Sequence, residues 1–228
     1  MAALAAVATG AHAGLVPLGG ETFSGTGLGA VNTVLTISSP GSSTFESGAV
    51  GFGNVITGDA LTGASQTHTR TLGELGVTSA STLRVVFNAL EPGNVEANGI
   101  TLEHLMLNIY SPTGTLLFSS GDIAPVTFSS TFTGAGNAGF VFGLDAAQQA
   151  AAAAAFGAGF QNNVVTLSAA AGCGAGAPAG CLGATGGFET FYVANAAAVA
   201  AVPEPSTYAL MAAGLAAMGL RLLRRRAS

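Results

Sequence analysis

Glu103 and His104 stand side by side in a chain whose other histidines are His12 and His68, and this pair most invites an acid/base or metal reading. Both fall in an alternating stretch, Leu102 to Tyr110, that reads as a strand carrying Glu103, Leu105, Leu107 and Ile109 on one face. Neighbours in a strand point to opposite faces, so Glu103 and His104 cannot line one pocket unless a bulge intervenes; each is expected to be solvated or hydrogen-bonded. Glycoside hydrolysis needs two carboxylates across a cleft. Glu46, Asp59, Glu74, Glu91, Glu96, Glu103, Asp122 and Glu189 supply carboxylates, but nothing in their spacing selects a pair. Gly134-Ala-Gly136-Asn-Ala-Gly139 matches G-x-G-x-x-G, yet the residues after it read as a strand, so the helix dipole that would hold a pyrophosphate is missing. The absence of lysine excludes S-x-x-K and P-loop chemistry, and there is no G-x-S-x-G, H-E-x-x-H or EF-hand motif. The expectation is a body with no catalytic residues, no metal and no cofactor.

Cys173 and Cys181 enclose Gly-Ala-Gly-Ala-Pro-Ala-Gly, a loop flexible enough to bring the two sulfurs together. In an oxidising compartment that spacing reads as a disulfide; otherwise the two remain thiols in a mobile loop. With no histidine nearby, two thiolates alone do not complete a zinc site.

The C-terminal residues are of a different kind. Val202-Pro203-Glu204-Pro205-Ser206-Thr207 is followed by 13 uninterrupted apolar residues, Tyr208 to Leu220, and then by Arg221, Arg224, Arg225 and Arg226. A bilayer crossing takes about 20 apolar residues as a helix, so this run is marginal as a permanent anchor but long enough for a transient stop, with the arginines held on the cytoplasmic side. It is apolar on every side, which argues against an amphipathic or core helix. Motif, apolar helix and arginine cluster in this order resemble the PEP-CTERM sorting domain of Gram-negative bacteria, over about an eighth of the chain. The resemblance implies recognition by an exosortase, a membrane-embedded cysteine peptidase or transpeptidase, with Pro203, Glu204 and Pro205 as recognition residues and Arg221, Arg224, Arg225 and Arg226 as the membrane stop. It further implies a transient inner-membrane intermediate and delivery to the cell surface or the exopolysaccharide matrix.

Export calls for a signal at the other end. Met1 to Gly10 is small and apolar, and Ala11-His12-Ala13 fits the A-x-A cleavage pattern, with Ala11 and Ala13 as its small residues. No basic residue precedes the run, so 1–13 reads as a partial signal peptide whose true start lies elsewhere, or else as an Ala-rich tail. From Gly14 to Glu204 there are eleven carboxylates against two arginines, which leaves no basic surface for nucleic acid.

The elements that must position any chemistry are short strands. Alternating apolar runs mark Val31 to Ile37, Leu83 to Leu90, Leu102 to Tyr110, Thr115 to Ser119, Val126 to Phe132, Gly139 to Gly143, Val164 to Ser168 and Phe188 to Ala194, with weaker runs at Phe45 to Phe52 and Thr67 to Leu72. Asp145 followed three residues later by Gln148, then six alanines, Phe156 and Gly157, predicts one capped helix that docks through Leu144 and Phe156. The expected fold is mainly β, an antiparallel sandwich or jelly roll over 14–201 with one short Ala-rich helix, followed by a transmembrane-like helix within the sorting signal 202–228. The expected function is that of a noncatalytic surface or matrix protein serving adhesion or biofilm structure. The alternative is a carbohydrate-binding or polysaccharide-degrading domain, which the scarcity of aromatic rings (no Trp, three Tyr) disfavours.

Overall fold

The computed structural model of the chain describes residues 14–22, 32–39, 43–63, 65–89, 99–128, 138–185 and 187–196. Within them the alternation of apolar and polar residues produces two antiparallel sheets. One contains β1 (Val16–Thr22), β2 (Thr33–Ile37), β6 (Leu83–Asn88), β10 (Ala138–Gly143) and β12 (Glu189–Asn195), in the order β1-β10-β6-β12-β2. The other contains β3 (Phe45–Gly51), β4 (Val55–Gly58), β7 (Ile100–Tyr110), β8 (Leu116–Ser119) and β11 (Val164–Gly172), in the order β4-β3-β11-β7-β8. Two shorter strands complete it: β5 (Arg70–Thr71) pairs with β11, and β9 (Val126–Phe128) pairs with β7.

The sheets share one apolar cluster. Leu35, Phe87, Phe142 and Phe191 enter it from the first sheet, and Val50, Leu105, Leu107 and Leu167 from the second, all essentially inaccessible to solvent. Phe87 stacks on Phe191 with ring centroids 4.9 Å apart, a contact between neighbouring strands that adds to simple burial.

Two strands escape the sequence rules. β1 carries Pro17 and two glycines, residues that weaken a strand, but it lies at a sheet edge, and its register slips between Pro17 and Gly19, where Gly19 takes φ 127°. β4 is also an edge strand, and its Val55 is exposed, so it lacks the buried face on which an alternation signal depends. Conversely, the run Thr67 to Leu72 yields only the two-residue β5. Residues 129–132 and Leu90, expected at strand ends, lie outside the described residues.

The helix starts as its sequence dictates and then changes character. Asp145 accepts from the Gln148 backbone N–H while the Gln148 side chain accepts from the Asp145 N–H, a reciprocal cap on α1 (Ala146–Ala151). The six-alanine run predicts one continuous helix; instead Ala152–Phe156 is 3-10. Ala152 and Ala155 are both fully buried, and a three-residue turn places residues three apart on one line, so the tighter helix aims both methyl groups at the core. Leu144 lies in the core and Phe156 packs against it. No helix among the described residues is long and apolar enough to cross a membrane; residues 202–228 lie outside them.

Candidate functional site

The middle of β7 is where the chain gathers polar side chains. Against β11, His104 lies opposite Ala170 but Leu102 lies opposite Ala171, so Glu103 is an extra residue and β7 bulges there. As a result Leu102 and Leu105, three residues apart, both reach the core, while Glu103 and His104 between them are half-buried outside it. The bulge removes the premise that these neighbours must face opposite ways. They nevertheless do different work. The Glu103 Oε1 accepts from the Gly174 N–H at 3.0 Å, and His104 turns toward Ser168 and Asp122.

Asp122 is placed by a gap in the sheet edge. β8 pairs with 108–110 of β7 and β9 with 100–102, and residues 120–125 cross beside the stretch between. There the edge N–H groups of β7 are satisfied by side chains rather than by a strand: Leu107 N–H donates to Ser120 Oγ at 3.0 Å, and Leu105 N–H to Asp122 Oδ1 at 3.1 Å. The second oxygen, Asp122 Oδ2, lies 2.6 Å from His104 Nδ1. A carboxylate can only accept, so this contact puts a proton on Nδ1; in the neutral imidazole the Nε2 lone pair then faces Ser168, whose Oγ–H donates across 2.7 Å. Ser168, His104 and Asp122 thus form a continuous hydrogen-bonded chain, with side-chain exposures of 31% at His104 and 51% at Asp122. Sequence reasoning missed Ser168 and named Asp122 only among carboxylates whose spacing selected no partner. His104 and Ser168 are 64 residues apart and meet only through strand register, which no local motif encodes.

The cysteines are joined to each other, with Cα atoms 5.8 Å apart. Their loop is pinned by Cys173 N–H and Ala184 N–H, both donating to the Thr44 carbonyl, and by the Gly174 contact to Glu103. The remaining carboxylates are engaged separately: Ser47 N–H donates to Asp59 Oδ2 at 2.9 Å, and Thr71 N–H to Glu74 Oε2 at 2.7 Å. That Thr71 backbone bond chiefly holds the Glu74 carboxyl below its ordinary pKa. Glu46 is buried, with Oε1 3.4 Å from Ser39 Oγ. Among the described residues no three of His, Cys, Asp and Glu are grouped to hold a metal. His68 is half-buried in a loop, its N–H bonded to the Val34 carbonyl. The described tyrosine rings do not form one row. Tyr110 pairs with Phe52 at 5.6 Å on one sheet, whereas Tyr192 packs with Val86, Val141 and Ala194 on the other, where burial pushes its phenol pKa up.

Pro203, Glu204, Pro205, Arg221, Arg224, Arg225, Arg226, Ala11, Ala13, Glu91 and Glu96 lie outside the described residues. For the C-terminal set, comparison with protein families is decisive: the family model for the PEP-CTERM protein-sorting motif matches residues 201–226. The chain carries a PEP-CTERM sorting motif. This motif is the recognition signal for exosortase, and it implies export and association with the cell surface. No curated protein and no solved structure matches the chain.

Proposed function

We propose that the protein is exported, halted in the inner membrane by its PEP-CTERM segment, processed by an exosortase, and retained at the cell surface or in the exopolysaccharide matrix. There the body, a sandwich of two antiparallel sheets, serves adhesion, matrix or biofilm structure by presenting its surface. The match over 201–226 carries this reading. The division of labour it requires is 1–13 for export, 14–201 for the body and 202–228 for sorting. The acidic, lysine-free body and the joined cysteines suit an oxidising exterior.

Replacing Glu204 by Ala in an exosortase-containing host tests the recognition role. Immunoblots of membrane and surface fractions should find the variant unprocessed and membrane-held; normal release would overturn the assignment. Presentation needs no turnover. A second reading, a domain that binds or degrades polysaccharide, would call for paired carboxylates across a cleft or a row of exposed rings.

A further inference from the structure

We propose that Ser168, His104 and Asp122 form an acyl-transfer site on the outer face of the seven-stranded sheet, hydrolysing carboxylic esters. The inference rests on side-chain geometry in the body and does not depend on how the chain is sorted. A serine hydroxyl is a weak nucleophile until a base takes its proton, and the base must present a lone pair held in the right direction. Here the Asp122 carboxylate fixes a proton on Nδ1, so that in the neutral ring His104 Nε2 accepts from Ser168 Oγ at 2.7 Å. Asp122 is itself anchored by the Leu105 N–H, so it acts as a positioning residue with little freedom to swing away.

Ser168 lies opposite Met106 on β7 and Ala49 on β3. His104 occupies one diagonal position from Ser168 and Asn108 the other. Residues at such diagonals share a sheet face, which places Asn108 to donate a carboxamide N–H to the ester oxygen as it becomes negative.

The steps balance without a further reagent. Ser168 Oγ bonds to the ester carbonyl carbon as its proton passes to His104 Nε2. The tetrahedral adduct then collapses, the C–O bond to the alcohol breaks, and the leaving alkoxide takes the proton from Nε2. Water attacks the acyl-serine, again giving its proton to Nε2. Collapse releases the carboxylic acid and returns the proton to Ser168 Oγ.

The test uses the full chain, purified in detergent, with a fluorophosphonate probe and p-nitrophenyl acetate. Peptide mapping should place one phosphonate on Ser168, and acetate-ester turnover should disappear in Ser168→Ala. His104→Gln should slow both reactions roughly 100-fold or more, the usual contribution of a general base. Asn108→Ala should slow turnover with the disulfide and circular dichroism unchanged. For Asp122→Asn, which retains an acceptor for Leu105 N–H, 15N NMR of His104 should report a changed tautomer together with slower labelling, a combination that a purely structural role would not give. If His104→Gln fails to fold, Ser168→Cys supplies the second measurement: its alkylation by iodoacetamide should be faster than that of the exposed thiol in Thr113→Cys. No adduct, an adduct on another serine, labelling equal in His104→Gln, or alkylation of the Ser168→Cys thiol no faster than that of the surface thiol would overturn the proposal.

Discussion

Asp122 divides its two oxygens between architecture and orientation, and the two tasks can be separated experimentally. Oδ1 is the partner of the Leu105 N–H, and Oδ2 meets His104. Truncation by Asp122→Ala removes the partner of a backbone donor beside the fully buried Leu105 side chain, a loss that costs about 1–3 kcal/mol. Asp122→Asn keeps an accepting oxygen and should regain most of that stability. Urea unfolding of the three proteins checks the order; equal midpoints for the alanine and asparagine forms would mean that the Leu105 bond contributes nothing measurable. At this scale the sequence is informative where partners are close along the chain. Cys173 and Cys181, at a sequence separation of 8, enclose only small residues and one proline, and in an oxidising compartment their pairing is readable from that spacing. Asp122 and Ser168 are not readable: an aspartate after Ser-Ser-Gly looks like any turn residue, and a serine in an alternating strand looks like any outward one. Their meaning arises only when three segments converge.

Elements follow the same division between local and non-local causes. The N-terminus of α1 is legible because Asp145 and Gln148 are three residues apart and satisfy each other's backbone. Asp145→Ala should therefore cost about 1 kcal/mol, as loss of such caps generally does. Thermal melts should detect it, and an unchanged melting temperature would mean that docking through Leu144 and Phe156 alone holds the helix. The end of α1 is not legible, since six alanines support either helix type and the choice falls to the core that Ala152 and Ala155 must meet. β7 alternates between buried and half-buried residues from Leu105 to Tyr110 and is found to within a few residues because alternation records burial, whereas β6 and β12 are buried on both faces along most of their length and are found as apolar runs. The edge strands β1 and β4 carry no such record. The bulge at Glu103 is harder still, because register is a relation between β7 and β11 and belongs to neither sequence alone.

For the whole molecule, the disulfide loop acts as a seam across strands distant in sequence. It leaves β11 at Gly172, meets Thr44 through Cys173, reaches Glu103 of the bulge through Gly174, and returns past Thr101 through Leu182. Gly172 itself has φ 91°, and a Cβ there would stand 2.0 Å from the Thr44 carbonyl oxygen, so the chain turns into the loop at a point only glycine fills. Closing a loop of 8 residues stabilises by about 2.5 kcal/mol in the chain-entropy account, and for a domain of this size each kcal/mol shifts melting by roughly 2–4 °C. The double variant Cys173→Ser/Cys181→Ser should thus melt about 5–10 °C below the parent, and reduction of the parent should reproduce the loss. Because the same loop holds Glu103 at the bulge, the variant should also loosen the strand that carries His104, which amide hydrogen exchange at 102–106 would report as faster exchange. A lowered melting point with unchanged exchange there would confine the seam to global stability; faster exchange would tie the oxidised state acquired on export to the order of the polar cluster on the outer face.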